Sequence, residues 1–207
     1  MKRVRDALLI VLLAACHRDA TVAPTFNKRV LALIDQYPAH GYGGYTWPAL
    51  PGTAGTTRDL RLGTEVIAHG GAGNHCVGMT LEVFWRALEQ CDGGVTLDLA
   101  AAQDLKRRWY VPELGARGAA DAIASHNLGV MVALADAKPG DFVQAWNGDG
   151  TFGHSMVLLG VDGDKLRYWS SQPWTDGIGR SEGELGVDFD RERVFVARAA
   201  CPASFRP

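Results

Sequence analysis

Apolar positions along the chain change period once, near its middle. From Phe26 to Tyr37 they fall at 26, 30, 33, 34 and 37, the spacing of one helical face, and Pro38 with the glycines at 41, 43 and 44 ends that pattern. Residues 38–75 are rich in Gly, Pro and Thr and read as loop, with a short strand near Glu65 to Ala68. From Cys76 to Gln90 the apolar residues 77, 81, 84 and 88 form a helical stripe, entered through Gly73-Asn74 and left through Gly93-Gly94. Further helical stretches cover about Leu99 to Tyr110 and Ala119 to Asn127. Strands are then expected at Phe142 to Trp146, His154 to Gly160, Lys165 to Ser171 and Val194 to Arg198. Asp162-Gly163 between the second and third of these is a hairpin signal. Helices first and antiparallel strands afterwards predict an α+β domain, with the helices packed on one face of a sheet.

The N-terminus stands outside that pattern. Lys2, Arg3 and Arg5 precede an apolar run from Ala7 to Ala15, too short to span a bilayer and shaped like a secretory signal. The run ends in Leu13-Ala14-Ala15-Cys16, which resembles a bacterial lipobox and makes Cys16 the expected lipidation site; an ordinary signal peptide cut nearby is the alternative. The expected organisation is a signal over 1–16, a polar tether over 17–25 and one domain over 26–207. Export implies an oxidising compartment, in which Cys91 and Cys201 could form a disulfide or stay as free thiols.

The chain has 207 residues, 47% of them hydrophobic, enough for one domain with its own core. Its net charge of −2, with both signs interspersed, excludes the clustered basic face of a nucleic-acid binder. The 25 glycines imply many tight turns and favour a sheet-containing fold. No cofactor is expected. His69, His75 and Cys76 lack a fourth ligand at regular spacing for zinc. Asp162-Gly163-Asp164 lacks the glutamate that closes a calcium loop.

The candidate chemistry begins at Cys76, which opens a helix after Gly71-Ala-Gly-Asn-His75. The free N–H groups and positive end of a helix favour a thiolate and can hold an oxyanion. Such a nucleophile needs a base. His154, a polar ring at the mouth of an apolar strand, is the best of six histidines. If Asp162-Gly163 form the turn, residues whose numbers sum to about 325 face each other, which puts His154 near Gln172 and Ser171. Gln172 is the candidate third member, able to accept an imidazole N–H, with Ser171 as alternative. Trp146, Trp169 and Trp174 are candidates to line a cleft, or to pack as core, and Trp85 and Trp109 read as core.

These pieces together resemble the NlpC-type cell-wall peptidases of papain-like fold. Gly70-Gly71 followed by Asn74-His75-Cys76-Val77-Gly78 resembles the family's Gly-Gly loop and its Asp-Cys-Ser-Gly. Pro139-Gly140-Asp141 resembles the approach to its first core strand, and Gly153-His154 through Gly160 its histidine strand. The likeness spans roughly residues 63–172. It departs in having His75 for the aspartate and Ile67 or Val66 for the family's tyrosine, a role that Tyr42 and Tyr45 are too distant in sequence to be assigned. The spacing from His154 to the third residue resembles the related CHAP amidases more. The resemblance implies a cysteine peptidase or amidase cleaving a peptide or amide bond in peptidoglycan, monomeric and lipid-anchored in the bacterial envelope. A papain-fold hydrolase or acyltransferase acting on a non-wall amide or ester, or an inactive envelope binding lipoprotein, are the alternatives.

Overall fold

The computed structural model describes residues 25–38, 41–111 and 113–202. Cys16 and the expected signal and tether, apart from Thr25, lie outside them. The described residues form four α-helices, a seven-stranded antiparallel sheet and a separate two-stranded hairpin, an α+β fold.

Helix α1 (Phe26–Ile34) is capped by the Thr25 side chain, which accepts from the Lys28 N–H. It stops three residues before the apolar spacing does, because the chain loosens into turn hydrogen bonds at Gln36 and Tyr37. Strand β1 (Tyr42–Gly43) and the hairpin of β2 (Leu60–Leu62) and β3 (Glu65–Ala68) then lead to α2 (Cys76–Glu89). In α2 every residue from Cys76 to Leu88 except Arg86 is buried. The sequence stripe suggested one apolar face; instead the helix is enclosed on all sides, and its polar residues are satisfied internally. Buried Glu82 accepts from the Tyr37 hydroxyl (2.6 Å) and from the Thr57 N–H (2.6 Å) and hydroxyl (2.8 Å). Those bonds offset the desolvation of a buried carboxylate.

Helices α3 (Leu99–Trp109) and α4 (Ala119–Ser125) complete the helical layer. The strands follow as β4 (Gly129–Val132), β5 (Phe142–Trp146), β6 (Gly153–Asp162), β7 (Lys165–Gln172), β8 (Gly177–Glu184) and β9 (Val194–Ala199), in spatial order β1-β8-β7-β6-β5-β9-β4. One face, with Phe142, Val157, Trp169, Ile178 and Ala197, packs on the helices. The other, with Val143, Met156, Leu158 and Tyr168, is covered by Leu185 and Phe189. Phe84, Trp109 and Phe142, with ring centroids 4.8–5.6 Å apart, join α2, α3 and β5; each such pair contributes ~0.5–1.5 kcal/mol beyond its buried area.

Two of the sequence motifs are structural. Asp141, fully buried after Pro139-Gly140, accepts from the Lys138 N–H (2.8 Å), Asn27 (2.7 Å) and Arg198 (2.8 Å), tying the entry of β5 to α1 and β9. Cys91, just past α2, is disulfide-bonded to Cys201, just past β9, with Cα atoms 5.5 Å apart. Strands β1 and β2 lie in the segment read as loop, and β4 and β8 form where no strand was expected. Arg180 and Glu182 on β8 face Asp35 (2.5 Å) and Lys165 (3.4 Å) respectively.

Candidate active site

Cys76 is the first residue of α2, and the loops before it are shaped around that helix end. His75 is the N-cap: its Nδ1 accepts the Gly78 N–H (3.2 Å), and its carbonyl accepts from Met79 (3.0 Å). The first-turn donors left beside the sulfur are those of Cys76 and Val77. The His75 ring is buried, edge-on to Trp47 (4.9 Å) and Tyr110 (5.9 Å). A Cβ on Gly55 would lie 2.1 Å from that ring, and one on Gly78 would lie 2.2 Å from the Gly55 carbonyl oxygen. The glycine of Cys-x-Gly is therefore required by the loop that crosses the helix start. His75, where the resembled family has aspartate, serves here as a neutral cap; burial lowers its pKa to about 4.

Helix and sheet are pinned together next to Cys76. The Thr80 hydroxyl meets the Ser155 hydroxyl (2.8 Å) and accepts from the Trp109 indole (3.1 Å), while Ser170 donates to the Ser155 carbonyl (2.6 Å). Ser155 thus stands beside the start of α2, and His154 precedes it on β6.

His154 is buried, and its Nε2 lies 3.2 Å from Gln172 Oε1. With the amide oxygen toward the ring, Nε2 carries the proton and Nδ1 is free to accept one. Burial lowers the His154 pKa to about 4, against the opposing pull of Gln172, so the ring is neutral at pH 7. The pairing with Gln172 depends on two register details. The hairpin turns at Gly163-Asp164, since Asp162 pairs with Lys165, so the expected sum was two units too low at the turn. A bulge at Leu159 then moves the register back by one, leaving Val157 opposite Trp169. His154 consequently faces Gln172, whereas Ser171 points to the other side of the sheet, its hydroxyl unpaired.

Cys76 and His154 border the same cavity of about 200 Å³, with Val77 from α2 and Gly153 from β6. Tyr45, Trp47, Tyr110, Trp146 and Phe152 supply much of its wall. Tyr45 reaches it because residues 44–46 run beside Asn74, with hydrogen bonds from Thr46 to Asn74 and from Asn74 to Gly44. A tyrosine distant in sequence is therefore adjacent in space, the reverse of what sequence distance implied. Burial and the neighbouring Cys76 push its pKa up to about 12. The Tyr110 hydroxyl is engaged by the Ala54 carbonyl. Of the three tryptophans considered for a cleft, Trp146 lines this cavity, Trp174 is 56% exposed with its ring 5.7 Å from His154, and Trp169 is core. A larger depression of about 630 Å³ beside α1 and the disulfide is bordered by Lys28, Lys138 and Arg198 and holds no candidate nucleophile among the described residues.

The thiol itself departs from expectation. Burial raises the Cys76 pKa above its ordinary value, outweighing the backbone N–H groups of Ser155, Val77 and Cys76 that favour the anion. The helix terminus is present, but desolvation is the larger effect. His154 borders the same cavity as a neutral ring, so both groups rest uncharged, as thiol and imidazole rather than an ion pair.

No protein-family model matches this chain, and no curated protein matches it. Among solved structures, the P60 domain of an M. avium subspecies paratuberculosis antigen is similar at 13% identity and a TM-score of 0.38, over 84% of this chain and 93% of that one.

Proposed function

We propose that the chain is a cysteine hydrolase of papain-like, NlpC-type fold that cleaves an amide bond through Cys76, His154 and Gln172. The observation that carries this reading is the shared cavity: a free cysteine at a helix start and a neutral, hydrogen-bonded histidine at a strand start border one space. His154 Nδ1 takes the thiol proton as Cys76 Sγ attacks the substrate carbonyl carbon. The carbonyl π electrons move to oxygen, where the N–H groups at the start of α2 stabilise the charge. Collapse breaks the C–N bond, and the imidazolium returns its proton to the departing amine. Water, deprotonated by His154, then hydrolyses the thioester and regenerates the thiol. Gln172 holds the ring in the tautomer that leaves Nδ1 basic. Residues 1–16 direct export in this reading, and lipidated Cys16 holds the enzyme at the envelope membrane.

Peptidoglycan is the substrate that the sequence resemblance suggests. A non-wall amide or ester is favoured by one observation, the replacement of the acidic residue before the nucleophile by an uncharged, buried His75. The test is digestion of purified peptidoglycan by the full chain carrying Cys16→Ser, beside the same chain with Cys76→Ala, with fragments identified by mass spectrometry and Cys76 alkylation followed in parallel. Fragments released only when Cys76 is present establish a wall hydrolase and name the bond. No release, with alkylation that slows when His154 is replaced by Ala, keeps the enzyme and discards the wall. No release and alkylation indifferent to His154 sinks the hydrolase reading.

A further inference from the structure

The cavity beside Cys76 has an unusual lining for a site that meets charged wall peptides. None of the described residues that border it carries a charge: Asp, Glu, Lys and Arg are absent from its wall, and His154 is neutral at pH 7. Its surface is mainly aromatic and aliphatic, with Trp47, Trp146, Phe152, Val111 and Leu114. An ionised group entering it would lose its hydration with no counter-ion to replace it. Its volume of about 200 Å³ falls below the ~300–1,000 Å³ of sites for drug-sized ligands. It suits one side chain of leucine or phenylalanine size, and not a disaccharide.

One polar group breaks the apolar wall. Gln144 lies on the helix-facing row of β5 between Phe142 and Trp146, and it is 1% exposed. Its Nε2 is 3.4 Å from the Ala145 carbonyl, a contact only a donor can make, while its Oε1 has no partner. The absence of side chains at two glycines makes room for the amide: a Cβ on Gly118 would lie 3.0 Å from Oε1, and one on Gly153 would lie 2.9 Å from Nε2. Buried acceptors are almost always satisfied in folded proteins. Gln144 is one of the residues lining the cavity, and its Oε1 is a buried acceptor without a donor.

We propose that the cavity is a specificity pocket for an uncharged, apolar residue flanking the scissile amide, and that Gln144 Oε1 accepts that residue's backbone N–H. The proposal rests on Cys76 being the nucleophile of the reading above. It narrows the substrate to a neutral peptide segment and makes Gln144 a positioning residue for binding, separate from proton transfer.

The test uses the full chain with Cys16→Ser, and it reads Cys76 alkylation as well as hydrolysis. Rates are measured with N-benzyl iodoacetamide, N-benzyl-N-methyl iodoacetamide and iodoacetate, each normalised to a free cysteine derivative. N-benzyl iodoacetamide is expected to react at least about tenfold faster than iodoacetate after normalisation. Gln144→Leu should slow the N–H reagent by about tenfold and leave the N-methyl reagent, which has no donor, within about twofold. Gln144→Glu, should the Leu variant misfold, is expected to favour an N-(aminoalkyl) iodoacetamide, the cation matching the new carboxylate. Dipeptide aminomethylcoumarins with Phe, Leu, Glu or Lys beside the scissile bond provide the catalytic counterpart, in which Phe and Leu should lead. Equal normalised rates for neutral and anionic reagents, or equal slowing of both benzyl reagents by Gln144→Leu, overturn the pocket. Cleavage of a fatty-acyl nitrophenyl ester with every peptide amide spared overturns its assignment to a peptide residue. Failure of the hydrolase reading looks different: the alkylation preferences persist, no amide is cleaved, and His154→Ala changes nothing.

Discussion

At the scale of single residues, the site depends on which of two neighbours faces His154. Ser171 and Gln172 are adjacent and both polar, so composition cannot choose between them, and alternation makes the choice absolute. The bulge at Leu159 decides it by placing Gln172 Oε1 against the imidazole and sending Ser171 to the opposite face. Gln172→Ala should therefore lower kcat on the order of tenfold to a hundredfold, part of the ~10²–10⁴ that general acid–base catalysis supplies, with KM little changed. Ser171→Ala, which removes a hydroxyl without a partner, should stay within about twofold. The reverse ranking in steady-state assays, with both variants folded, would show that the bulge does not set the catalytic register.

At the scale of elements, legibility follows how each one is stabilised. Helices α1 to α4 and strands β5, β6, β7 and β9 carry continuous apolar patterns, and their cores announced them. Strand β8 reads Gly177-Ile-Gly-Arg-Ser-Glu-Gly-Glu184 and looks like loop, because its partner strands supply the ladder while its side chains contribute little core. Strand β1 has two residues and exists by pairing with β8. Of the site, Cys76 and His154 were legible because each opens an apolar element. Tyr45, Trp47 and Gln144 were not. The first two come from a Gly/Pro-rich loop that docks against Asn74 and His75, and Gln144 interrupts a strand that alternation alone would make structural. The raised Cys76 thiol was misjudged for a related reason, since a helix terminus is visible in sequence and the depth of burial is not. One tie between elements was an open alternative in the sequence, the link from the end of α2 to the end of β9. Cys91–Cys201 closes a loop with a sequence separation of 110, for which chain entropy sets a ceiling near 4.7 kcal/mol, and measured cases usually give about 2–4 kcal/mol. Replacing both cysteines with Ala should lower the unfolding free energy by about that amount in a denaturant titration. Alkylation of Cys76 at pH 7 should be unaffected, because the bond lies at the far end of α2.

At the scale of the whole molecule, the same burial that shapes the cavity makes the fold acid-sensitive. His75 caps α2 and His154 stands at the start of β6, and both are held neutral by desolvation with pKa values lowered to about 4 from an ordinary 6.5. Below pH 6.5 the unfolded chain takes up a proton at each histidine and the native chain does not. Unfolding is then linked to net proton uptake, so stability falls as pH drops from 6.5 and stops falling from this source below about 4. At ~1.4 kcal/mol per pKa unit, with some relief from water entering the opened site, the loss between pH 7 and 4.5 is roughly 2 kcal/mol per histidine. Asp104, whose pKa two arginines lower to about 2, acts in a separate window below its ordinary 3.8 and leaves this range untouched. Unfolding free energies from urea titrations at pH 7, 5.5 and 4.5 should show the decline, steepest between the last two points. His75→Asn keeps a side chain suited to an N-cap and removes one of the two titrating rings, so its decline should be about half as steep. If the wild-type chain is as stable at pH 4.5 as at pH 7, neither ring is buried in solution, and the cavity that His154 borders would be open to water.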